Sequence, residues 1–215
     1  MNDEKIFIIG DIHGCLYILK RLINKIPWRS DKDKLIFVGD YIDRGENPKG
    51  VVDFILELKS YSNKIECLMG NHESMLLDYI RGKNRDLYLV NGGTTTLASY
   101  RAAKKSDQAP LIPEAHISFF EGLKSYIELD NYYIVHAGFK PGIPVKKQSL
   151  EDMLWIRYKF IDSDYDFGKR VIFGHTPFKD PFIRPTKIGI DTGAVYGNKL
   201  TCLQLPEVKF YFEIA

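Results

Sequence analysis

Short apolar runs, each closed by a polar cluster, recur along this chain. Runs at 6–9, 35–38, 65–69, 132–135, 171–173 and 188–190 are followed at once by Asp, Asn or His beside glycine. Apolar runs of this length, bounded by turn residues, read as buried strands. Between the first three, the spacing changes to that of helices. Cys15, Leu16, Leu19, Leu22, Ile23 and Ile26 share one face over 15–26, lysines and Arg21 occupy the other, and Pro27 ends the segment. A helix is predicted over 48–59, with Asn47 as N-cap and Pro48 as its first residue. Another runs from about 73 to 81. The order β-α-β-α-β implies parallel strands.

The middle of the chain, 82–130, lacks an apolar strand. Asn91-Gly92-Gly93-Thr94-Thr95-Thr96 reads as a turn and a helix start, and a helix is expected over 113–124. This stretch is read as a helical insertion beside the site. From 126 onward short strands dominate, at 125–129, 132–135, 170–174, 187–191, 199–205 and 208–214, the last two forming a hairpin around Pro206. The pattern predicts an α/β fold of two packed mixed β-sheets flanked by helices. No repeat, low-complexity stretch or linker divides the 215 residues, so a single domain over 1–215 is expected.

Composition narrows the partners. At 45% hydrophobic and 27% charged the chain is ordinary for a globular protein. A net charge of +2 is too balanced to argue for nucleic acid or an anionic membrane. No run approaches the ~18 apolar residues of a membrane span. The charged start, followed at once by a strand, reads against a signal peptide. Cys15, Cys67 and Cys202 are odd in number and widely spaced, which argues against a disulfide framework or a cysteine zinc site. Cys15 and Cys67 fall in apolar patterns and read as buried thiols, and a reducing cytoplasm is the expected setting.

The clusters carry the chemistry. They are Gly10-Asp11-Ile12-His13-Gly14, Gly39-Asp40-Tyr41-Ile42-Asp43-Arg44-Gly45, Gly70-Asn71-His72-Glu73, His136-Ala137-Gly138, Gly174-His175-Thr176-Pro177 and Asp191-Thr192-Gly193. Ligands bind beyond the strand ends of α/β sheets. Asp11 and His13, two apart in an extended segment, reach the same way. Asp40 adds a carboxylate, Asn71 an amide oxygen, and His136 and His175 ring nitrogens. Such a mixed set suits manganese, iron or zinc. Six ligands are too many for one catalytic ion and fit two that share Asp40. A pair of ions activates water and holds phosphoryl oxygens. Arg44 and Arg157 supply planar cationic forks for phosphate. His72, beside Asn71, serves as the acid for the leaving group, and Asp43 orients it.

Each cluster alone has a plainer explanation. A D-x-H is ordinarily loop polarity, Asp191 shapes a turn, and Glu73 is a first-turn acid favoured by the helix dipole. His116 follows no strand and reads as a surface helical residue. The plain explanations fail jointly, because four of the five histidines sit after strands beside glycine, Asp and Asn.

These motifs resemble the phosphoprotein phosphatase family of metallophosphoesterases. G-D-x-H-G, G-D-x-x-D-R-G and G-N-H-E are its three hallmarks. Asn91-Gly92-Gly93, Leu154-Trp155-Ile156-Arg157, Phe173-Gly174-His175-Thr176-Pro177 and 191–197 look like the small bacterial and phage members. The resemblance implies a four-layer sandwich. It assigns one metal to Asp11, His13 and Asp40, and the second to Asp40, Asn71, His136 and His175. It also implies the Asp43–His72 acid pair, phosphate contacts from Arg44 and Arg157, and Tyr196 on a loop over the site. The expected function is hydrolysis of phosphoserine and phosphothreonine in proteins, with two divalent ions, manganese foremost, and no obligate regulatory subunit. A symmetrical dinucleoside tetraphosphate hydrolase is the alternative, disfavoured because those enzymes usually carry a longer C-terminal part. A non-catalytic metal- or phosphate-binding module is disfavoured by the complete set of ligand, clamp and acid residues.

Overall fold

Strand β1 (Ile6–Ile9) sends Phe7 and Ile9 to one face and Ile8 to the other, as the two-residue period of a strand requires. That alternation builds two cores at once. The computed structural model describes residues 4–104 and 106–215; the extreme start read above for a leader, residues 1–3, lies outside them. After β1 come α1 (Leu16–Lys25), β2 (Lys34–Phe37), α2 (Pro48–Tyr61), β3 (Ile65–Cys67) and α3 (Asn71–Ile80). Strands β1, β2 and β3 are parallel neighbours, as the βαβ order predicts.

The insertion follows as α4 (Arg85–Tyr88), a π-helical turn over Leu89–Gly93, α5 (Thr94–Ala102) and α6 (Glu114–Glu121). Then come β4 (Tyr126–Glu128), β5 (Tyr132–Val135), α7 (Leu150–Trp155), α8 (Tyr158–Ile161), β6 (Arg170–Phe173), β7 (Phe182–Ile183), β8 (Lys187–Gly189), β9 (Lys199–Leu205) and β10 (Lys209–Ile214). One sheet has the order β10-β9-β1-β2-β3 and the other β4-β5-β6-β8-β7. Both are mixed: β9 is antiparallel to β1 and to β10, while β5, β6 and β8 are parallel and carry antiparallel strands at the edges.

Ile8, Ile36, Val38, Ile134, Ile172, Ile188 and Leu203 fill the space between the sheets. Phe7, Phe37, Leu19, Leu22, Val52 and Ile55 join the first sheet to its helices. Val135, Val171, Phe173, Met153 and Phe160 join the second sheet to α7 and α8. The result is the helix–sheet–sheet–helix sandwich expected from the sequence. No helix among the described residues is long and apolar enough to cross a membrane.

The structure departs from the expectations in several places, the short elements α4, α8 and β7 among them. Helix α3 starts at Asn71 rather than 73, because the Glu73 carboxylate reaches back to accept the Gly70 N–H at 3.0 Å. The short helix α7 was missed, although Ser149 accepts the Asp152 N–H at 3.0 Å and Ser-x-x-Asp is a readable cap. His116 is buried, not on the surface. Its Nδ1 meets the Tyr100 hydroxyl at 2.7 Å and its Nε2 lies 3.1 Å from Asp53 Oδ1, which ties α6 to α5 and α2. Cys15, Cys67 and Cys202 are buried and unpaired.

Candidate dinuclear metal centre

Parallel strands within each sheet deliver their C-terminal ends to one edge, and the polar clusters meet there. Asp11 and His13 leave β1, Asp40, Asp43 and Arg44 leave β2, and Asn71 and His72 open α3 after β3. His136 and His175 arrive from the second sheet after β5 and β6. Tight turns aim the side chains: His13, Asp40, Asp43, Arg44 and His175 all adopt left-handed φ, between 45° and 69°. Non-glycine residues there cost of order 1–3 kcal/mol each and persist only where their surroundings hold them. Gly174 is required for a different reason, since a Cβ there would collide with Asp11 Oδ1.

Two groups of potential ligands share one residue. His13, Asp40 and His72 converge in one, and Asp40, His136 and His175 in the other, with ligand atoms within 4.8 Å of one another and every residue buried. Asp40 is common to both. Asp11 and Asn71 complete the surroundings. Asn71 Oδ1 lies 3.0 Å from His136 Nε2 and 2.9 Å from His175 Nδ1. Asp11 Oδ2 accepts the His175 backbone N–H at 3.0 Å.

The hydrogen bonds leave lone pairs pointing inward. The Val38 carbonyl, 3.0 Å from His136 Nδ1, accepts a hydrogen bond from that N–H, so the neutral ring turns a bare Nε2 toward Asn71 Oδ1. The Ile42 carbonyl, 2.9 Å from His13 Nδ1, does the same, so His13 Nε2 accepts from Arg44 Nη1 at 2.7 Å and lies 3.4 Å from Asp40 Oδ2. Facing acceptors repel unless a cation lies between them. Two buried atoms here, Asp11 Oδ1 and His175 Nε2, have no hydrogen-bond partner at all. Buried polar atoms ordinarily find one.

Charge points the same way. Burial, then the neighbouring charges of Asp191 and Asp40, push the Asp11 carboxyl well above the usual carboxylate range. Burial pushes Asp191 up to about 6 against the pull of the Gly193 N–H, with Asp40 adding to the rise. Burial takes His13 down to about 3 and His175 down to about 2, which favours the neutral ring at pH 7. Burial also raises Asp40, while the charge of the four surrounding imidazoles, wherever they are protonated, outweighs it and draws that carboxyl below its ordinary value. Crowded buried acids among neutral imidazoles are the environment of a divalent cation.

The acid pair has the expected contact. His72 Nδ1 lies 2.6 Å from Asp43 Oδ2. Its supports were not read from the sequence. Asp43 Oδ1 accepts the Tyr88 hydroxyl at 2.9 Å and the Thr96 hydroxyl at 2.5 Å, both from the insertion. The signal lay in Asn91-Gly92-Gly93: a Cβ on Gly93 would stand 2.5 Å from the Tyr88 ring. Glu73 does more than the dipole argument gave it. Its carboxylate accepts the backbone N–H groups of Asp40, Tyr41 and Gly70 at 2.9, 2.9 and 3.0 Å, pinning the turn that presents Asp40. Burial, followed by the charge of Asp40, pushes Glu73 up to about 8.

The clamp residues border the cluster. Arg44 Nη1 lies 2.7 Å from His13 Nε2, and its guanidinium sits over the exposed Tyr196 ring at 5.8 Å. Arg157 caps the start of α8 and donates to the Thr176 hydroxyl at 3.4 Å, next to His175. Lys187, buried on β8, grips the other end of α8 through the carbonyls of Phe160 at 2.6 Å and Ser163 at 2.5 Å. Asp191 accepts the Gly193 N–H at 2.9 Å, so it does shape a turn.

Residues 4–212 match the family model of calcineurin-like phosphoesterases. The chain belongs to that family. The family implies a pair of divalent ions, and the ligand groups around Asp40 suit them. Solved structures of the same fold include a candidate diadenosine tetraphosphatase, at TM-score 0.76 and 22% identity, covering 98% of this chain and 93% of that one. A serine/threonine phosphatase from Saccharomyces cerevisiae, with similarity to human PP5, aligns at TM-score 0.68 and 17% identity over 100% of this chain and 80% of that one. These likenesses establish the fold.

Curated relatives correct the substrate. A protein of Bacillus thuringiensis (strain Al Hakam) named bis(5'-nucleosyl)-tetraphosphatase PrpE [asymmetrical] is 31% identical over 227 residues, 94% of this chain and 91% of that protein. The protein of that name from Bacillus anthracis (strain A0248) matches to the same extent. The expectation of a serine/threonine protein phosphatase acting on a phosphoprotein is overturned by these names. The alternative weighed from the sequence was the symmetrical enzyme with its longer C-terminal part, whereas these relatives are named for asymmetrical cleavage and match over nine-tenths of their own length. Proteins with different named substrates share this fold, so the hallmark motifs alone did not decide between them.

Proposed function

We propose that this chain is a metal-dependent dinucleoside tetraphosphate hydrolase. The observation that carries this reading is near end-to-end similarity to proteins named for that activity, joined to a buried ligand cluster built around a shared Asp40. Their names specify asymmetrical cleavage, so the products expected are a nucleoside triphosphate and a nucleoside monophosphate, not the two diphosphates of a symmetrical enzyme.

Asp11, His13 and Asp40 would hold one ion and Asp40, Asn71, His136 and His175 the other; manganese suits the mixed carboxylate, amide and imidazole donors. What such ions supply is Lewis acidity toward a phosphoryl oxygen and the attacking water. The chain's own residues do the rest. Arg44 and Arg157, on two sides of the cluster, hold phosphate oxygens through fixed cationic forks. Asp43 accepts the Nδ1 proton of His72, so the proton His72 passes to the leaving group is carried at Nε2. Tyr88 and Thr96 keep Asp43 oriented for that task. The reading treats the chain as one catalytic unit, and its buried unpaired thiols suit a reducing cytoplasm.

Incubation of the purified protein with diadenosine tetraphosphate and manganese, with products separated by ion-exchange chromatography, tests this reading. Equal amounts of ATP and AMP are expected. ADP as sole product would overturn the asymmetrical cleavage, and absence of turnover would overturn the substrate class.

A further inference from the structure

We propose that the cavity beside Arg44 is a nucleoside subsite, taking the base and ribose of a nucleotide whose phosphates lie at the buried His–Asp cluster. The inference rests on the tetraphosphatase reading and extends it to named residues. The cavity measures about 390 Å³ and is lined by Tyr17, Ile18, Arg44, Glu46, Ala194 and Val195, among others. That volume falls within the range of small-molecule sites, roughly 300–1,000 Å³.

Arg44 makes the cavity continuous with the phosphate site. Its guanidinium reaches His13 Nε2 at 2.7 Å, while the same side chain forms part of the cavity wall. A phosphate held by Arg44 therefore has its sugar and base directed along this wall. The aromatic surface is unusual for residues beside a polar centre: Tyr17 is 63% exposed, and Tyr196, between Val195 and Gly197 of the lining, is 64% exposed. Bases stack on such rings whatever their identity. Ile18, Ala194 and Val195 add apolar contact.

Glu46 decides which part of the substrate enters. An exposed carboxylate repels the phosphate chain and accepts hydrogen bonds from ribose hydroxyls or an exocyclic amine. The lining thus runs from a cation at the cluster to a hydrogen-bond acceptor, matching the order phosphate then nucleoside. A second cavity, of about 350 Å³, lined by Glu4, Lys34 and Asp130, opens at the opposite ends of the strands and has no such link.

The test compares AMP with inorganic phosphate by calorimetry on the manganese-loaded protein, in wild type, Tyr17→Ala and Val195→Trp. One variant removes a stacking face and the other fills the cavity; Tyr17 is exposed, so its truncation leaves the core intact. Wild type should bind AMP more tightly than phosphate, and the AMP-to-phosphate affinity ratio should fall about tenfold or more in both variants, the scale of a lost base–aromatic stack. An unchanged ratio in both, or no preference for AMP in wild type, would overturn the subsite. Loss of the ratio in a protein that leaves diadenosine tetraphosphate intact would keep the subsite and refute the tetraphosphatase reading. Turnover with an unchanged ratio would do the reverse.

Discussion

Asp40 stands in a left-handed turn, takes a backbone N–H from His72 at 3.1 Å, and touches both ligand groups. Asn tolerates that conformation better than most residues, so Asp40→Asn should fold. It should lose bound metal and activity together, checked by elemental analysis beside a rate assay. His72→Asn separates acid from ligand. It should retain both metals and lose roughly 10²–10⁴-fold in rate on an alkyl phosphate, whose leaving alkoxide needs a proton. On diadenosine tetraphosphate the loss should be smaller, because a departing phosphate has a pKa of about 6 and leaves as an anion. Equal losses on the two substrates would count against His72 as the proton donor.

At the scale of elements, the insertion supplies the hydroxyls that hold the buried Asp43. Helices α4 and α5 are brought beside the turn after β2 by the glycines of the π-helical segment, whose Gly92 carbonyl accepts the Arg44 N–H at 3.3 Å. Tyr88→Phe deletes one hydrogen bond to the buried Asp43 carboxylate, a bond type worth roughly 1.5–3 kcal/mol. Lower stability in urea is expected, together with a reduced kcat and little change in KM, since Tyr88 acts through Asp43 and His72. Repeating 3.6- and 2-residue patterns made the helices and strands of the two sheets readable. The helices of the insertion at Thr94–Ala102 and Glu114–Glu121 were readable as well, but its hold on Asp43 was not, because that depends on hydroxyls meeting Asp43 across 45 and 53 residues of sequence.

For the whole molecule, the seam between the sheets holds the two halves of the site together. Ile172 is fully buried there. Ile172→Ala should cost about 2–5 kcal/mol in urea denaturation. Acid stability has a separate origin. Side-chain hydrogen bonds from Arg29 outweigh burial and hold Asp33 down at about 2 from an ordinary 3.8, with the Lys5 and Arg29 N–H groups helping. A carboxyl depressed by folding stabilises fully above its unfolded value and stops doing so as the pH falls through the folded one. Stability from Asp33 is thus complete above about pH 4 and lost toward pH 2, and urea midpoints of Asp33→Asn should be flatter than wild type across that window.

Periodicity and local motif chemistry are properties of neighbouring residues, so the alternation of strands and helices, the two sheets and the six polar clusters were legible before any fold was known. Asp11, His13, Asp40, Asn71, His136 and His175 could be named because buried strands rarely end in such groups without cause. Glu73 as the pin of the Asp40 turn, Tyr88 and Thr96 behind Asp43, and the burial of His116 all depend on which distant surfaces pack together. Local spacing carries no information about those distances. The substrate is likewise absent from the motifs, because the same three motifs were read as those of a protein phosphatase while the relatives that match end to end are named tetraphosphatases.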